Sequence, residues 1–252
     1  MFIFCNHYLS KFFCTLSVCI LFHTQAIAQL ELDVETGAVF SGYNKIQVPG
    51  GDGTRFSLGE NYETDGRFFY RLRLLYTLNE KHTFTALFAP LDIRSVGNPA
   101  SAIRFRDAVF PSSEELDVLY EFNSYRLTYR YLFPRKGDFQ FGVGATAKIR
   151  DARIQLSNDD QSAVKKNVGF VPLINFRVEW FAKERLSLLL QGDALASPQG
   201  RAEDVLLAAI FYPGRNLSLK AGYRILEGGA DNEELYNFTL IHYALIGGIY
   251  RF

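Results

Sequence analysis

The chain has 252 residues, and 27 Lys+Arg balance 27 Asp+Glu for a formal net charge of zero. Such balance excludes the basic footprint that a nucleic-acid partner requires. The three cysteines, Cys5, Cys14 and Cys19, crowd the N-terminus, so a chain processed there carries no disulfide framework, thiol nucleophile or thiolate metal site.

Lys11 is the one charged side chain before Gln29, Phe12 to Phe22 is almost wholly apolar, and Ala26-Ile27-Ala28 supplies a small-x-small cleavage site. This pattern predicts a secretory signal peptide over residues 1–28, cleavage between Ala28 and Gln29, and a single mature domain over 29–252. Leu16-Ser17-Val18-Cys19 faintly resembles a lipoprotein box. Val18 is a poor residue before a lipidated Cys, however, and Ile20-Leu21-Phe22 prolongs the apolar run.

Beyond Gln29 there is no apolar run of roughly eighteen residues, the length of a membrane-spanning helix. Alternating segments recur instead. The period-two pattern predicts strands at Leu30–Gly42, Asp65–Leu78, Thr83–Arg94, Leu116–Phe133, Phe139–Leu156, Asn167–Phe181, Leu186–Ala196, Ala202–Tyr212, Leu217–Leu226 and Tyr236–Phe252. Tight charged turns (79–81, 134–138, 182–185, 213–216) alternate with mostly longer loops (43–64, 95–115, 157–166, 197–201, 227–235). Short turns at one rim and longer loops at the other fit an all-β chain, a transmembrane antiparallel up-and-down β-barrel of about ten strands. Tyr76, Tyr131, Phe133, Phe139, Trp180, Phe181, Phe211, Tyr212, Tyr250 and Phe252 gather at the short-turn ends, as an aromatic girdle at a membrane interface does.

The last predicted strand steps back from Phe252 through Tyr250, Gly248, Ile246, Ala244, His242, Leu240, Phe238 and Tyr236, apolar with aromatics at both ends. Its ending Tyr250-Arg251-Phe252 resembles the closing strand of bacterial outer-membrane β-barrels. That resemblance implies outer-membrane lipid and lipopolysaccharide around the wall, and a terminal Phe read by the barrel-assembly machinery. It also sets which face points inward, since alternation alone serves a soluble barrel equally well. Phe68, Tyr70, Leu72 and Leu74 then face lipid, and the charged residues between them face the lumen. The expected lumen set is Arg71, Arg73, Arg126, Arg130, Lys148, Arg177, Lys220 and Arg224 against Glu31, Asp33, Glu35, Glu121, Glu179, Asp193 and Asp204. In so narrow a barrel these charges either pair into a network that plugs the lumen or line a small polar pore.

Two strands change phase. Leu116, Val118, Tyr120 and Phe122 are even-numbered, whereas Tyr125, Leu127, Tyr129 and Tyr131 are odd; a similar switch occurs after Ile149. Bulges near Asn123-Ser124 and Arg150-Asp151 would restore register. Pro90 and Pro172 also fall inside strands, where a closed ladder rarely tolerates them.

Enzymes share this architecture. The strand count is similar to that of the omptin proteases, which use acidic and His groups near the outer rim; lipid A deacylases use a His–Ser pair on the outer wall. Here the histidines after the leader are His82, at the short-turn rim, and His242, in phase with the lipid-facing set and without the deacylase His-x-Ser pattern. The Gly-rich loop Val48–Thr54 lacks the spacing and Lys of a phosphate loop and reads as a flexible exposed turn. The acidic loop Glu227–Glu234 lacks the ligand order of an EF-hand. The residues therefore point to no cofactor, no metal and no catalytic set; a structural or passive transport barrel is expected, with a hydrolase or a loop-borne adhesin as alternatives.

Overall fold

The structure, a computed structural model, describes residues 28–59, 62–64, 66–198 and 200–252. Residues 1–27 of the expected leader, Cys19 included, lie outside the described residues. The first long strand, β1 (Ala28–Gln47), is followed by two short pieces, β2 (Phe56–Ser57) and β3 (Glu63–Thr64). Then come β4 (Arg67–Leu78), β5 (His82–Ala89) and β6 (Asp92–Gly97), and a small hairpin of β7 (Ile103–Phe105) and β8 (Ala108–Phe110). The remaining strands are β9 (Leu116–Leu132), β10 (Phe139–Ser157), β11 (Ser162–Lys183), β12 (Leu186–Ser197), β13 (Gly200–Phe211), β14 (Leu217–Asn232) and β15 (Leu235–Arg251).

The ladder runs β1-β4-β5-β9-β10-β11-β12-β13-β14-β15, and β15 pairs back to β1. Counting β5 and β6 as one strand, the described residues form a closed antiparallel barrel of ten strands. Closure gives each of the ten strands a partner on both sides over at least part of its length. Pro90 separates β5 from β6 without a slip: Ala89↔Ser124 and Asp92↔Glu121 keep one register against β9.

The expected bulges in β9 and β10 are absent. Asn123 pairs with Asp151 and Ser124 with Arg150 in an unbroken register from Gly142↔Leu132 to Ser157↔Asp117. The even residues of both strands face inward throughout, and what changes is the polarity of each face. In the lower part Ser124, Arg126 and Arg130 are buried while Tyr125, Leu127 and Tyr129 are exposed; higher up Leu116, Val118 and Tyr120 are the buried ones. An apolar exterior suits lipid, whereas a strand that rises into water must bury its apolar side inward. The phase break coincides with this exchange of polarity between the two faces.

Slips occur instead at Ser41/Tyr43 in β1 and near Trp180/Lys183 in β11. Gly42 is the extra residue of the first, and a Cβ there would stand 2.7 Å from His242 Nε2. Before Gly42 the odd residues Asp33, Glu35 and Val39 are buried; after it the even residues Asn44 and Ile46 are. Beyond the membrane zone the strands run further than the alternation predicts, because their inner sides pack an apolar cap. Ile46, Val48, Leu58, Ile103, Phe105 and Phe110 are all buried there. Val48 O accepts from Arg106 N at 2.9 Å and Arg104 O from Thr54 N at 2.9 Å, so Val48–Thr54 is part of this cap and not a free turn.

Candidate functional site: the charged lumen

At mid-wall the inward residues meet in one ion-pair belt. Glu35 on β1 has no exposed surface. It receives Arg73 Nη1 at 2.6 Å, Lys220 Nζ at 2.6 Å and Arg224 Nη2 at 2.9 Å, with Arg71 Nε at 3.6 Å. Asp33, one pleat below, takes Lys220 at 2.6 Å and Arg73 at 3.2 Å. Lys220 reaches β1 from β14 by passing over Gly247 of β15, where a Cβ would come within 2.9 Å of Lys220 Cε. Asp204 on β13 binds Arg71 at 2.7 Å, Arg126 at 2.6 Å and Arg224 at 2.5 Å. Asp193 on β12 completes the belt, accepting from Arg126, Thr146 Oγ1 and Asn175 Nδ2 at 2.7 Å each. Multiply bonded carboxylates are what buried charges demand, because each ion has surrendered its hydration.

Below the belt Glu179 is held by Arg177 at 2.6 Å and by Ser187 and Tyr212 hydroxyls at 2.5 Å each. A cavity of about 440 Å³ opens toward the short turns, lined by Asp33, Arg130, Arg177 and Glu179. Above lies a second of about 420 Å³, reached by Arg126, Lys148, Arg150 and Asp204. Glu35 and Arg71 border neither, so they sit in the partition between the two.

Among the described residues the inward cations exceed the inward carboxylates. Among the described residues no carboxylate lies within ion-pair distance of Arg130, Lys148 or Arg150. Arg130 donates to Asn175 Oδ1 at 3.4 Å, Lys148 stands 4.7 Å from the Phe122 ring centre, and Arg150 donates to Asn167 Oδ1.

The structure places fourteen of the fifteen expected lumen charges on inward positions, counting Glu31, which pairs with Arg251 at the lower rim at 2.6 Å. Glu121 is the correction. It lies on the outer side of β9 and bonds Arg153, because the unbroken register keeps the odd residues of β9 outward along its whole length. Of the girdle set, Tyr76, Phe133, Trp180, Phe211, Tyr250 and Phe252 are exposed on the outer face, Tyr131 packs edge-on to Phe133, and Trp180 stacks on Phe139 at 6.3 Å. Tyr212 leaves that set and turns inward to Glu179. Arg150 was hidden from the sequence pattern because it sits at the apparent phase break. Nothing in the pattern flags Thr146 or Ser187, neutral residues whose role comes from their neighbours; Asn175 alternates on the same face as Arg177 and Glu179, but its bond to Asp193 leaves no mark in the pattern. His82 bonds Tyr129 Oη at 2.9 Å and His242 bonds Tyr223 Oη at 2.6 Å, both histidines half-buried on the outer side.

No family model matches the sequence, and no curated protein matches it either. Solved structures do share its shape. The outer-membrane protease OmpT of Escherichia coli aligns with a TM-score of 0.55 at 11% identity, over 89% of this chain and 97% of that one. The fold is that of an outer-membrane β-barrel. The attachment invasion locus protein Ail of Yersinia pestis aligns over 89% of this barrel and 99% of its own chain, at 12% identity and a TM-score of 0.39. At such identities the likeness is one of fold, and the site must be argued from its own residues.

Proposed function

We propose that this chain is an exported outer-membrane barrel, matured after Ala28, whose lumen is sealed by the ion-pair belt, and that it serves as a structural, non-conducting barrel. The observation that carries this reading is Glu35, enclosed by cations from β4 and β14 at the level that separates the two cavities. The exposed apolar outer band, from Leu32 and Val34 on β1 to Leu219 and Tyr223 on β14, supports insertion in a bilayer. Phe252 at the lower rim, its N–H bonded to Leu30 O at 3.0 Å, supports recognition of the closing strand by the assembly machinery.

Planar-bilayer recording on the purified protein tests it. The wild type is expected to leave the bilayer silent, and Asp33→Ala with Glu35→Ala together to produce discrete openings. Steady ohmic steps from the wild type would overturn the sealed barrel. Mass spectrometry of the extracted protein should find Gln29 as its first residue; a lipid on Cys19 would replace that part of the reading.

A further inference from the structure

The cavity above the belt has an exit that is neither top nor bottom. Pairing between β10 and β11 continues up to Ser157↔Ser162, but pairing between β11 and β12 stops at Ile174↔Ala194. Residues 162–173 of β11 therefore have one edge without a ladder, and Leu195 to Ser197 of β12 pair only with β13. Pro172 stands at the start of this gap, where its missing N–H takes a donor from that edge. The outward residues Phe170 and Pro172 line the cavity together with inward Val171 and Leu173, so the cavity reaches the outer surface through the wall. Above the gap Lys165 Nζ of β11 bonds Glu234 Oε2 in the turn between β14 and β15 at 3.0 Å. The β11 side of the gap presents Val168 and Phe170, both exposed and apolar and level with Asp151 and Ile149 of β10, so it opens at the upper edge of the apolar outer band.

The contents of this side chamber have two parts. Ile154, Leu195, Leu226 and Leu235 give it an apolar wall. Lys148, buried to 4% exposure, and Arg150 supply two cations without a carboxylate partner among the described residues. Arg150 lies over Gly169 at the edge of the gap, where a Cβ would meet its Nη2 at 3.2 Å. An unpaired buried cation is costly, and an incoming anion that bonds it removes that cost. Arg126 and Asp204 of the belt form the floor of the chamber, and Tyr120 of the buried apolar core also lines it.

We propose that this chamber is a binding site for a single-chain acidic amphiphile, a long-chain carboxylate, which enters from the outer leaflet between β11 and β12. Its carboxylate bonds Lys148 and Arg150, and its hydrocarbon lies against Ile154, Leu195 and Leu226. A volume of about 420 Å³ is within the range of small-molecule sites. The site does not depend on the sealed lumen: a conducting wild type would end that reading and leave this one standing.

The test uses the full-length protein in lipid nanodiscs with a diazirine-bearing palmitate, cross-linked by light and mapped by peptide mass spectrometry. Labels are expected on the inward residues Ala152, Ile154 and Leu226, competed by palmitate and poorly by methyl palmitate. Lys148→Gln with Arg150→Gln should lower the inward labelling about tenfold, the effect of losing charge-assisted bonds. Folding of that variant is checked by its heat-modifiable gel mobility. Labels confined to outward residues such as Leu207 and Tyr223 would mean annular lipid and overturn the proposal. Equal competition by the methyl ester, which needs no variant, would overturn the cationic site.

Discussion

Along β9 the lower and upper halves use one backbone register to opposite ends. The lower half turns Tyr125, Leu127 and Tyr129 outward and Arg126 and Arg130 inward; the upper half turns Asp117 and Glu121 outward and Leu116, Val118 and Tyr120 inward. Below, the exterior is apolar and the interior is held by charge-assisted bonds; above, the exterior is wet and the interior is an apolar core resembling that of a soluble barrel. Burial in the upper part is favourable at about 25 cal/mol per Å² of apolar surface, while the lower part depends on each ion having its partner. One strand thus carries two kinds of stability.

Substitutions can break or sharpen this contrast. Glu35→Ala strips the common partner from Arg71, Arg73, Lys220 and Arg224. Urea unfolding in lipid vesicles should show a loss of about 3–5 kcal/mol, the cost of stranding buried charge. Phe105→Ala, in the cap, empties a fully buried site and should cost roughly 3–5 kcal/mol. That loss is expected locally, as faster protease cleavage within residues 98–115 while the barrel keeps its unfolding midpoint. An equal fall in the midpoint would show that cap and barrel are one cooperative unit.

A matched pair on one strand face tests where the solvent changes. Leu127, 69% exposed on the outer side, sits in the apolar band, and Leu119 lies eight residues up on the same face. Leu127→Arg should cost about 2–4 kcal/mol if that level is mid-bilayer, whereas Leu119→Arg should stay within about 0.5 kcal/mol. Similar values for the two would remove the proposed water boundary. The smallest effect is expected at the lower rim, where Arg251 is half exposed beside Glu31. Arg251→Ala should change stability by less than about 1 kcal/mol, and less again in high salt.

Strand order, the two turn classes, the outward placement of Trp180 and Phe211, and the inward placement of Asp33, Arg71 and Lys220 are legible in the sequence. Alternation and turn chemistry are local properties that survive without knowledge of the fold. What surrounds each face is not local. The same alternation reads as a slip at Asn123 when one solvent is assumed throughout, and as continuous register once the strand is seen to leave the membrane; Glu121 and Arg150 were misplaced or missed for that reason. Which cations lack a carboxylate partner among the described residues, and where β11 parts from β12, follow from barrel closure, because pairing at Ile174↔Ala194 is fixed by the stagger of every strand around the ring. Only the tertiary structure decides those, since a residue's partner across a lumen is set by distance in space and leaves no period in the chain.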